Sequence, residues 1–398
     1  MQKELIAIEL FCMLSKIKRS APILFISLLF ATASFYLLVS LPFLNIIHRQ
    51  SYDALFKIEY KLRPPPLAIN DILLVVIDNA TLKNMPQRWP YSRATFATVI
   101  KNLKKAEAKT IAFDFVFWGK TDPQEDATLI QAVDEGKVIL PCLINEDGMI
   151  EFSDLPGPTT AFYSGVVTKI QDRNGVIRRN LTYIVNKNEP LKGILSWEMQ
   201  ILKAVRSIDL STLVSNGDIV SFQNDAGEKW MIPVEPSTKA FPIHFRAHAA
   251  DFNRISFINV LKGNFDPDKV KGKIIILGTL SSLFGDLYPT PIGWLPGIAI
   301  NANAFLDLYT HDFLKNIPAP IELCVILLTV IISGLLVVLF KTKKAILLIS
   351  LEISLILTMT YALLIHGYLW NYFLIAVLTM VCPFAAKKVC LNWRTYEQ

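Results

Sequence analysis

Four long stretches with almost no charged residues constrain this chain more than any other feature of its sequence. They cover residues 20–47, 323–340, 345–365 and 367–386. A helix needs roughly 20 apolar residues to cross a bilayer, because each residue adds only about 1.5 Å along the helix axis. All four stretches are close to that length, and only Glu352 interrupts them. The sequence therefore predicts four transmembrane helices, at residues 22–44, 320–340, 345–365 and 368–386.

The first stretch also has features of a cleavable signal peptide. Basic residues at 16–19 precede the apolar residues 23–30, and Ala31-Thr-Ala33 offers small side chains for a cleavage site. The apolar run nevertheless continues to Phe43, which favours an uncleaved anchor. Under either interpretation, the segment that follows is exported.

Lysine and arginine lie on one side of the predicted spans. They precede the first span, fill the loop after the second, and follow the fourth, at Lys16, Lys18, Arg19, Lys341, Lys343, Lys344, Lys387 and Lys388. Because positively charged loops remain in the cytoplasm, residues 1–21 and 387–398 are predicted to be cytoplasmic. Residues 45–318 then form a periplasmic domain of a bacterial inner-membrane protein. The same clusters account for the net charge of +6, so that charge does not predict nucleic acid binding.

The exported segment has the pattern of an α/β domain. Residues 72–77 are apolar throughout, as in strands buried on both faces of a parallel sheet, and residues 110–115, 138–140 and 273–278 are predicted as further strands. Ser92 is expected to cap a helix between the first two strands. Residues 218–222 and 229–232 form a predicted hairpin, and residues 195–205 and 297–309 are predicted helices. The predicted fold is an extracytoplasmic α/β domain with a mainly parallel central sheet and β-hairpin insertions, plus four transmembrane helices, one before it and three after it.

The chain lacks the residue spacings of known catalytic and metal-binding motifs. It has no glycine-rich phosphate loop, no HExxH, no paired CxxC and no GxSxG, and its five histidines have no metal-binding spacing. We therefore expect no enzymatic activity, no metal and no cofactor.

Three aspartates stand at or near the carboxyl ends of predicted strands. Asp78 follows the first strand, Asp114 lies near the end of the second, and Asp286 lies in the loop after Gly278. In open parallel sheets, ligands bind outside the carboxyl ends of the strands. One hypothesis is therefore a ligand site that contains these aspartates and Arg93. The alternative is structural: the aspartates cap turns, and an Arg–Asp pair braces the loops.

Several of these segments resemble a known family when they are taken in order. Trp89-Pro-Tyr-Ser-Arg93, Phe113-Asp-Phe115, the turn that begins at Asp172 and the block at residues 270–302 are similar to the second type of CHASE domain, a bacterial extracytoplasmic sensory module. The residues that carry the resemblance are Asp78, Trp89, Pro90, Arg93, Asp114, Gly175, Arg178, Arg179, Gly278, Asp286, Thr290, Pro291, Pro296 and Gly297. Asn301 departs from the pattern, because the family often has His there.

The resemblance implies a sensory protein, and it raises the question of what the sensor controls. Family members usually continue into a cytoplasmic kinase, cyclase or phosphodiesterase, whereas this sequence ends at Gln398, shortly after the last predicted span. The expected function is a receptor that signals through its membrane helices to a separate cytoplasmic effector, and a homodimer is expected from the resemblance to paired sensors. Two alternatives remain open: a structural or assembly factor whose domain is a docking surface, and, more weakly, an envelope enzyme that uses the acidic residues.

Overall fold

Two compact units make up the chain in the computed structural model. The structure describes residues 21–39, 42–119, 121–145, 147, 149–155, 164–186, 189–280 and 285–396. The α/β unit is Phe56–Leu314, and the helical unit combines Met1–Leu55 with Lys315–Gln398.

A four-stranded parallel sheet forms the centre of the α/β unit. Its strands are β1 Ile72–Ile77, β2 Thr110–Phe113, β14 Asn253–Ser256 and β15 Ile274–Thr279. They lie in the order β14-β1-β15-β2. Every residue of β1 and β2 is buried, as is expected for strands covered on both faces.

Helices cover both faces of this sheet. They are α3 Asn79–Asn84, α4 Arg93–Lys105, α5 Pro123–Gly136, α6 Trp197–Arg206, α7 Phe257–Leu261 and α8 Gly297–Thr310. Leu73, Val75 and Ile77 of β1 belong to the same apolar cluster as Phe96 of α4 and Phe257 of α7. On the other side of the sheet, α8 packs on β15 and α6 on β2.

Smaller sheets surround the central one. Their strands are β3 Leu140–Ile144, β4 Ile150–Glu151, β5 Ser164–Val166, β6 Ile170–Gln171, β7 Ile177–Leu181, β8 Tyr183–Asn186, β9 Glu189–Leu195, β10 Ile208–Asn216, β11 Ile219–Asn224, β12 Lys229–Pro233, β13 Ala240–Pro242, β16 Leu287–Thr290 and β17 Gly293–Pro296. Strands β11 and β12 pair antiparallel, which confirms the predicted hairpin. The α/β class and the parallel sheet are likewise as predicted.

The order of the central strands was not visible in the sequence. Chain order suggests that β2 lies beside β1, but β15 is inserted between them and pairs with both. Strand β3 lies outside the central sheet, to which a single bridge between Ala112 and Ile139 connects it. Strand order depends on contacts between distant segments, which no local pattern encodes.

The helical unit contains α1 Ala21–Val39, the first part of α2 Pro42–Leu62, α9 Ala319–Leu339, α10 Thr342–Ile365 and α11 Tyr372–Tyr396, with the short strands β18 Lys315–Asn316 and β19 Tyr368–Leu369. Helices α1, α9 and α11 pack together. A Cβ added at Gly334 of α9 would lie only 2.8 Å from Leu24 of α1. Because β19 pairs with β18, helix α11 begins at Tyr372, later than the sequence pattern indicated.

Three helices are long and apolar enough to cross a membrane: Ala319–Leu339, Thr342–Ile365 and the first part of α11, Tyr372–Cys390. The first apolar helix is shorter, since its apolar part covers Ala21–Leu37 within the described residues. The chain thus has membrane-spanning helices after the α/β unit, and the span at residues 22–44 stays a prediction.

A buried ionic network holds the end of α2 within the α/β unit. The His244 side chain is fully buried, with Nε2 3.0 Å from Glu59 Oε2 and Nδ1 3.3 Å from Asp312 Oδ1. Arg246 pairs with Asp312 at 2.9 Å, and Arg63 with Glu59 at 2.8 Å. Burial alone would lower the pKa of His244, but the hydrogen bonds and charges of Asp312 and Glu59 outweigh it and raise that pKa to about 9.

This network predicts a pH-dependent loss of stability at alkaline pH. Because the folded-state pKa of His244 lies above the unfolded value of about 6.5, its contribution is fully present below that value and is lost as pH rises through about 9. We expect His244→Gln to lower the free energy of unfolding at pH 6 by about 3 kcal/mol, since it removes the buried cation that Glu59 and Asp312 share. Thermal unfolding of the detergent-solubilised protein between pH 6 and 10 measures this. An unchanged Tm, or a variant that keeps the wild-type alkaline slope, would contradict it.

Candidate functional site

The carboxyl ends of β2 and β15 lie side by side, because Phe113 pairs with Leu277 in parallel register. Asp114 directly follows β2, and Thr279 ends β15. Asp286 approaches the same edge, where its side chain hydrogen-bonds with Thr279 and Tyr288. The structure therefore brings together two of the three aspartates that the sequence analysis singled out.

Asp114, Lys169, Glu198, Asp286 and Asn301 form a group that we call the acidic cluster. Asn301 of α8 donates its amide N–H to Asp114 Oδ1. Lys169, just before β6, donates to Glu198 Oε1 at 2.7 Å. Lys169 also lies close enough to both aspartates to affect their pKa values. Asp114 and Asp286 are partly exposed, whereas Glu198 and Asn301 are buried.

Two glycines make room for the two aspartates. A Cβ added at Gly278 of β15 would lie 3.0 Å from Cβ and 3.2 Å from Oδ2 of Asp114. A Cβ added at Gly297, the first residue of α8, would lie 2.7 Å from both carboxylate oxygens of Asp286. A larger residue at either position would displace the neighbouring carboxylate, so the two glycines allow Asp114 and Asp286 to occupy their positions.

The electrostatic environment disfavours ionisation of both aspartates. Loss of solvent contact raises the pKa of Asp114 well above its usual value, and the charge of Asp286 raises it further. Burial likewise raises the pKa of Asp286, although hydrogen bonds from Tyr288, Thr279 and Gly297 oppose that shift. Strongly shifted carboxyl groups at the edge of a sheet are typical of functional sites.

Asp78 has a different local role. Its Oδ1 accepts from the backbone N–H of Thr81 at 2.8 Å and caps α3, and Ser256 donates to its other oxygen. These hydrogen bonds outweigh the effect of burial and lower the pKa of Asp78. The contacts of Asp78 therefore agree with the structural alternative, in which this aspartate caps a helix.

Asp78 also lines an open cleft of about 590 Å³ that includes Arg254, Ser256, Asp266 and Lys269. The cleft lies beside β14, which forms the edge of the sheet opposite to β2. A ligand-binding role for Asp78 stays a prediction.

Arg93 pairs with a different aspartate. Its Nε lies 3.4 Å from Asp126 Oδ1, its Nη2 donates to the carbonyl groups of Trp118 and Gly119 at 3.1 and 2.9 Å, and its guanidinium stacks on Phe117. These contacts brace the loop between β2 and α5.

The other residues that carry the family resemblance make local contacts in turns and small sheets. Trp89 packs edge-on against Tyr91 and Phe115, and the Trp89–Pro90 peptide bond is cis. Gly175 has a φ of +77°, and both Arg178 and Arg179 lie 2.6 Å from the carboxylate of Asp172.

The closing block of the motif builds the hairpin before α8. Thr290 Oγ1 donates to the carbonyl of Gly293 at 2.6 Å, across the turn that contains Pro291. Pro296 is the N-cap residue of α8. This hairpin therefore carries Asp286 and Tyr288 to the acidic cluster.

Sequence reasoning did not find Lys169 and Glu198 as site residues. Lys169 stands between short strands, and Glu198 lies in the first turn of a helix, where an acidic residue is common for electrostatic reasons alone. Only the fold shows that both side chains turn inward. Asn301 did have a sequence signal, as the position where the chain departs from the family pattern.

A comparison with protein-family models identifies the family to which the chain belongs. The family model for the CHASE2 domain matches residues 26–336. The chain belongs to the CHASE2 family. The resemblance found in the sequence is thus confirmed, and the α/β unit is a sensory extracellular domain. No curated protein and no solved structure matches the chain.

The contact between Gly297 and Asp286 predicts a coupled effect of two substitutions. We expect Gly297→Ala to lower the free energy of unfolding by about 1–3 kcal/mol, because the new Cβ overlaps the carboxylate. Asp286→Ala removes the overlapping atoms, so the double variant recovers most of that loss. A double-mutant cycle measured by thermal unfolding tests this. Additive effects of the two substitutions would show that the contact does not exist.

The raised pKa of Asp114 predicts that its carboxylate costs stability at neutral and alkaline pH. A carboxyl group whose pKa is raised on folding contributes stability below its unfolded value, and that contribution is lost as pH rises through the folded value. We expect Asp114→Asn to raise the Tm at pH 8 by about 2–4 °C, as ~1 kcal/mol does in a domain of this size. The gain should disappear near pH 4.

The matched control is Asp225→Asn, which removes a carboxylate from the exposed turn of the β11–β12 hairpin. It should leave the pH dependence of the Tm unchanged. If Asp114→Asn behaves like this control at every pH, the carboxyl group of Asp114 is not destabilised in the folded protein.

Proposed function

We propose that this CHASE2 protein is an inner-membrane sensor whose α/β unit binds an extracytoplasmic ligand or partner and signals through its membrane helices to a separate cytoplasmic effector. The observation that carries the proposal is the extent of the family match. Residues 26–336 include most of the first apolar helix, the whole α/β unit and most of α9, so the family match extends from the sensory domain into apolar helices on both sides.

The membrane helices supply a route for the signal. Within the helical unit, Tyr52 of α2 donates to the carbonyl of Trp370 at 2.8 Å, and the N–H of Trp370 donates back to the Tyr52 hydroxyl. Trp370 also donates to Thr360 of α10 at 2.9 Å. A displacement of Tyr52 would therefore act directly on the segment between α10 and α11, which contains Trp370.

The positive-inside pattern supports the proposed topology. With both termini in the cytoplasm, the basic loop at 341–344 and the basic residues at 387–394 lie where a cytoplasmic effector can bind them. Signalling further requires a ligand that binds one arrangement of the protein more tightly than another.

The test is recovery of the effector from native membranes. We expect the tagged full-length protein, purified in mild detergent, to retain a kinase, cyclase or phosphodiesterase that mass spectrometry identifies. The activity of that enzyme in proteoliposomes should differ between wild type and Asp286→Asn, with Asp225→Asn as the charge-matched control. Recovery of envelope proteins alone, or an enzyme that responds identically to all three chains, would refute the sensor proposal.

One observation favours the docking alternative. Leu287 and Trp294 lie on the same face of the β16–β17 hairpin and are 44% and 63% exposed. An exposed apolar face of this kind suits a protein partner. Under this alternative, Trp294→Ser would abolish recovery of envelope proteins, whereas Asp286→Asn would not.

A further inference from the structure

The acidic cluster contains more negative charge than its own residues neutralise. Lys169 is the cation whose charge acts on both aspartates, and it pairs with Glu198 at 2.7 Å. Within the part of the chain that the structure describes, Asp114 and Asp286 then lie near each other without an ion pair of their own. The other polar groups at the cluster are neutral: Thr279, Tyr288, Asn301 and Asn180. Poorly solvated carboxylates are costly unless a positive charge or a proton compensates them.

Buried acceptors in the cluster also lack donors. Among the described residues, Glu198 Oε2 and Asn301 Oδ1 have no hydrogen-bond partner, although the two residues are only 0% and 2% exposed. Asn180 Nδ2 is a single unpartnered donor at the same place. Since unpaired buried acceptors cost free energy, a group that carries several N–H or O–H donors would stabilise the cluster.

Lys169 indicates which group fits. Its ammonium is bound by the Glu198 carboxylate and, at 3.1 Å, by the side-chain oxygen of Asn180. Asp286, Asp114 and the free amide oxygen of Asn301 offer the same combination of carboxylate and amide oxygen a second time. An ammonium group has three donors and no acceptor, which matches this surplus of acceptors.

We propose that the acidic cluster binds the ammonium group of a small primary amine. A divalent metal is less suited, because no group of three His, Cys, Asp or Glu side chains among the described residues is arranged to hold one. The partial exposure of Asp114, Asp286 and Tyr288 gives the ligand an approach from solvent. This inference rests on the proposed sensory function, for which it names the class of ligand.

The proposal predicts a specific pH dependence of binding. The amine replaces the proton that the aspartate pair holds, so its affinity rises as pH increases from 5 to 8. Asp286→Asn should weaken binding about tenfold or more, because it removes a charged acceptor. Asp225→Asn, on the exposed hairpin, should leave the affinity unchanged.

Ethylammonium chloride is the probe, and the shift of Tm of the full-length protein in detergent is the measurement. Sodium chloride controls for ionic strength, and tetramethylammonium chloride carries the same charge without any N–H donor. We expect a shift with ethylammonium alone, larger at pH 8 than at pH 5, and lost in Asp286→Asn.

Three outcomes would overturn the proposal. An equal shift with tetramethylammonium would indicate charge screening, and a shift only with magnesium or calcium chloride would indicate a metal site. Dependence on pH without any response to ethylammonium would mean that the cluster binds protons alone. None of these outcomes affects recovery of a cytoplasmic effector, so the amine proposal and the sensor proposal fail independently.

Discussion

The close approach of the first turn of α8 to the end of β15 is the contact on which the rest of the site depends. Helix α8 packs on β15, where a Cβ added at Gly278 would lie 3.0 Å from Ile298 of α8, and a Cβ added at Gly297 would lie 2.7 Å from the carboxylate of Asp286. The space that two Cβ atoms would fill is occupied instead by the side chains of Asp114 and Asp286. A contact that seals the core thus also places two carboxyl groups where water reaches them poorly.

Among the shielded charges of the α/β unit, the His244 network and the acidic cluster are balanced differently. Around His244, the carboxylates of Glu59 and Asp312 meet the guanidinium groups of Arg63 and Arg246 as well as the imidazole. In this network, three cationic side chains meet these two carboxylates, which suits a structural role. The acidic cluster contains three carboxyl groups and one ammonium, and this imbalance is what a binding site for a cation requires.

Much of the fold was predictable from local patterns. The apolar run at 72–77 and the glycine-containing turn at 225–227 predicted a buried strand and a hairpin, and both are present, because each depends on residues close together in the chain. The assignment of β15 to the centre of the sheet was not predictable. Its apolar sequence shows that it is buried, but any of several partners would bury it equally well.

The same difference separates the site residues. Asp114 and Asp286 were found because they stand beside strand ends, and strand ends can be located from sequence. Glu198 lies on α6, which packs on β2, and Lys169 precedes β6 outside the central sheet, so only the folded chain brings the two side chains together. Asp78 also stands at a strand end, but its contacts include the cap of α3. Arg93 was expected as a partner of these aspartates, and it pairs instead with Asp126 of α5.

The sequence by itself determined the membrane helices after the domain, the α/β class and the family, because hydrophobic length, apolar periodicity and ordered motifs are properties of short segments. The tertiary structure decided which strands are neighbours and which acids share a single unbalanced cluster. Those features arise from contacts between residues more than a hundred positions apart, such as Asn301 with Asp114. Their free energies depend on the burial and partners that the folded chain creates, and these have no counterpart in any local pattern of residues.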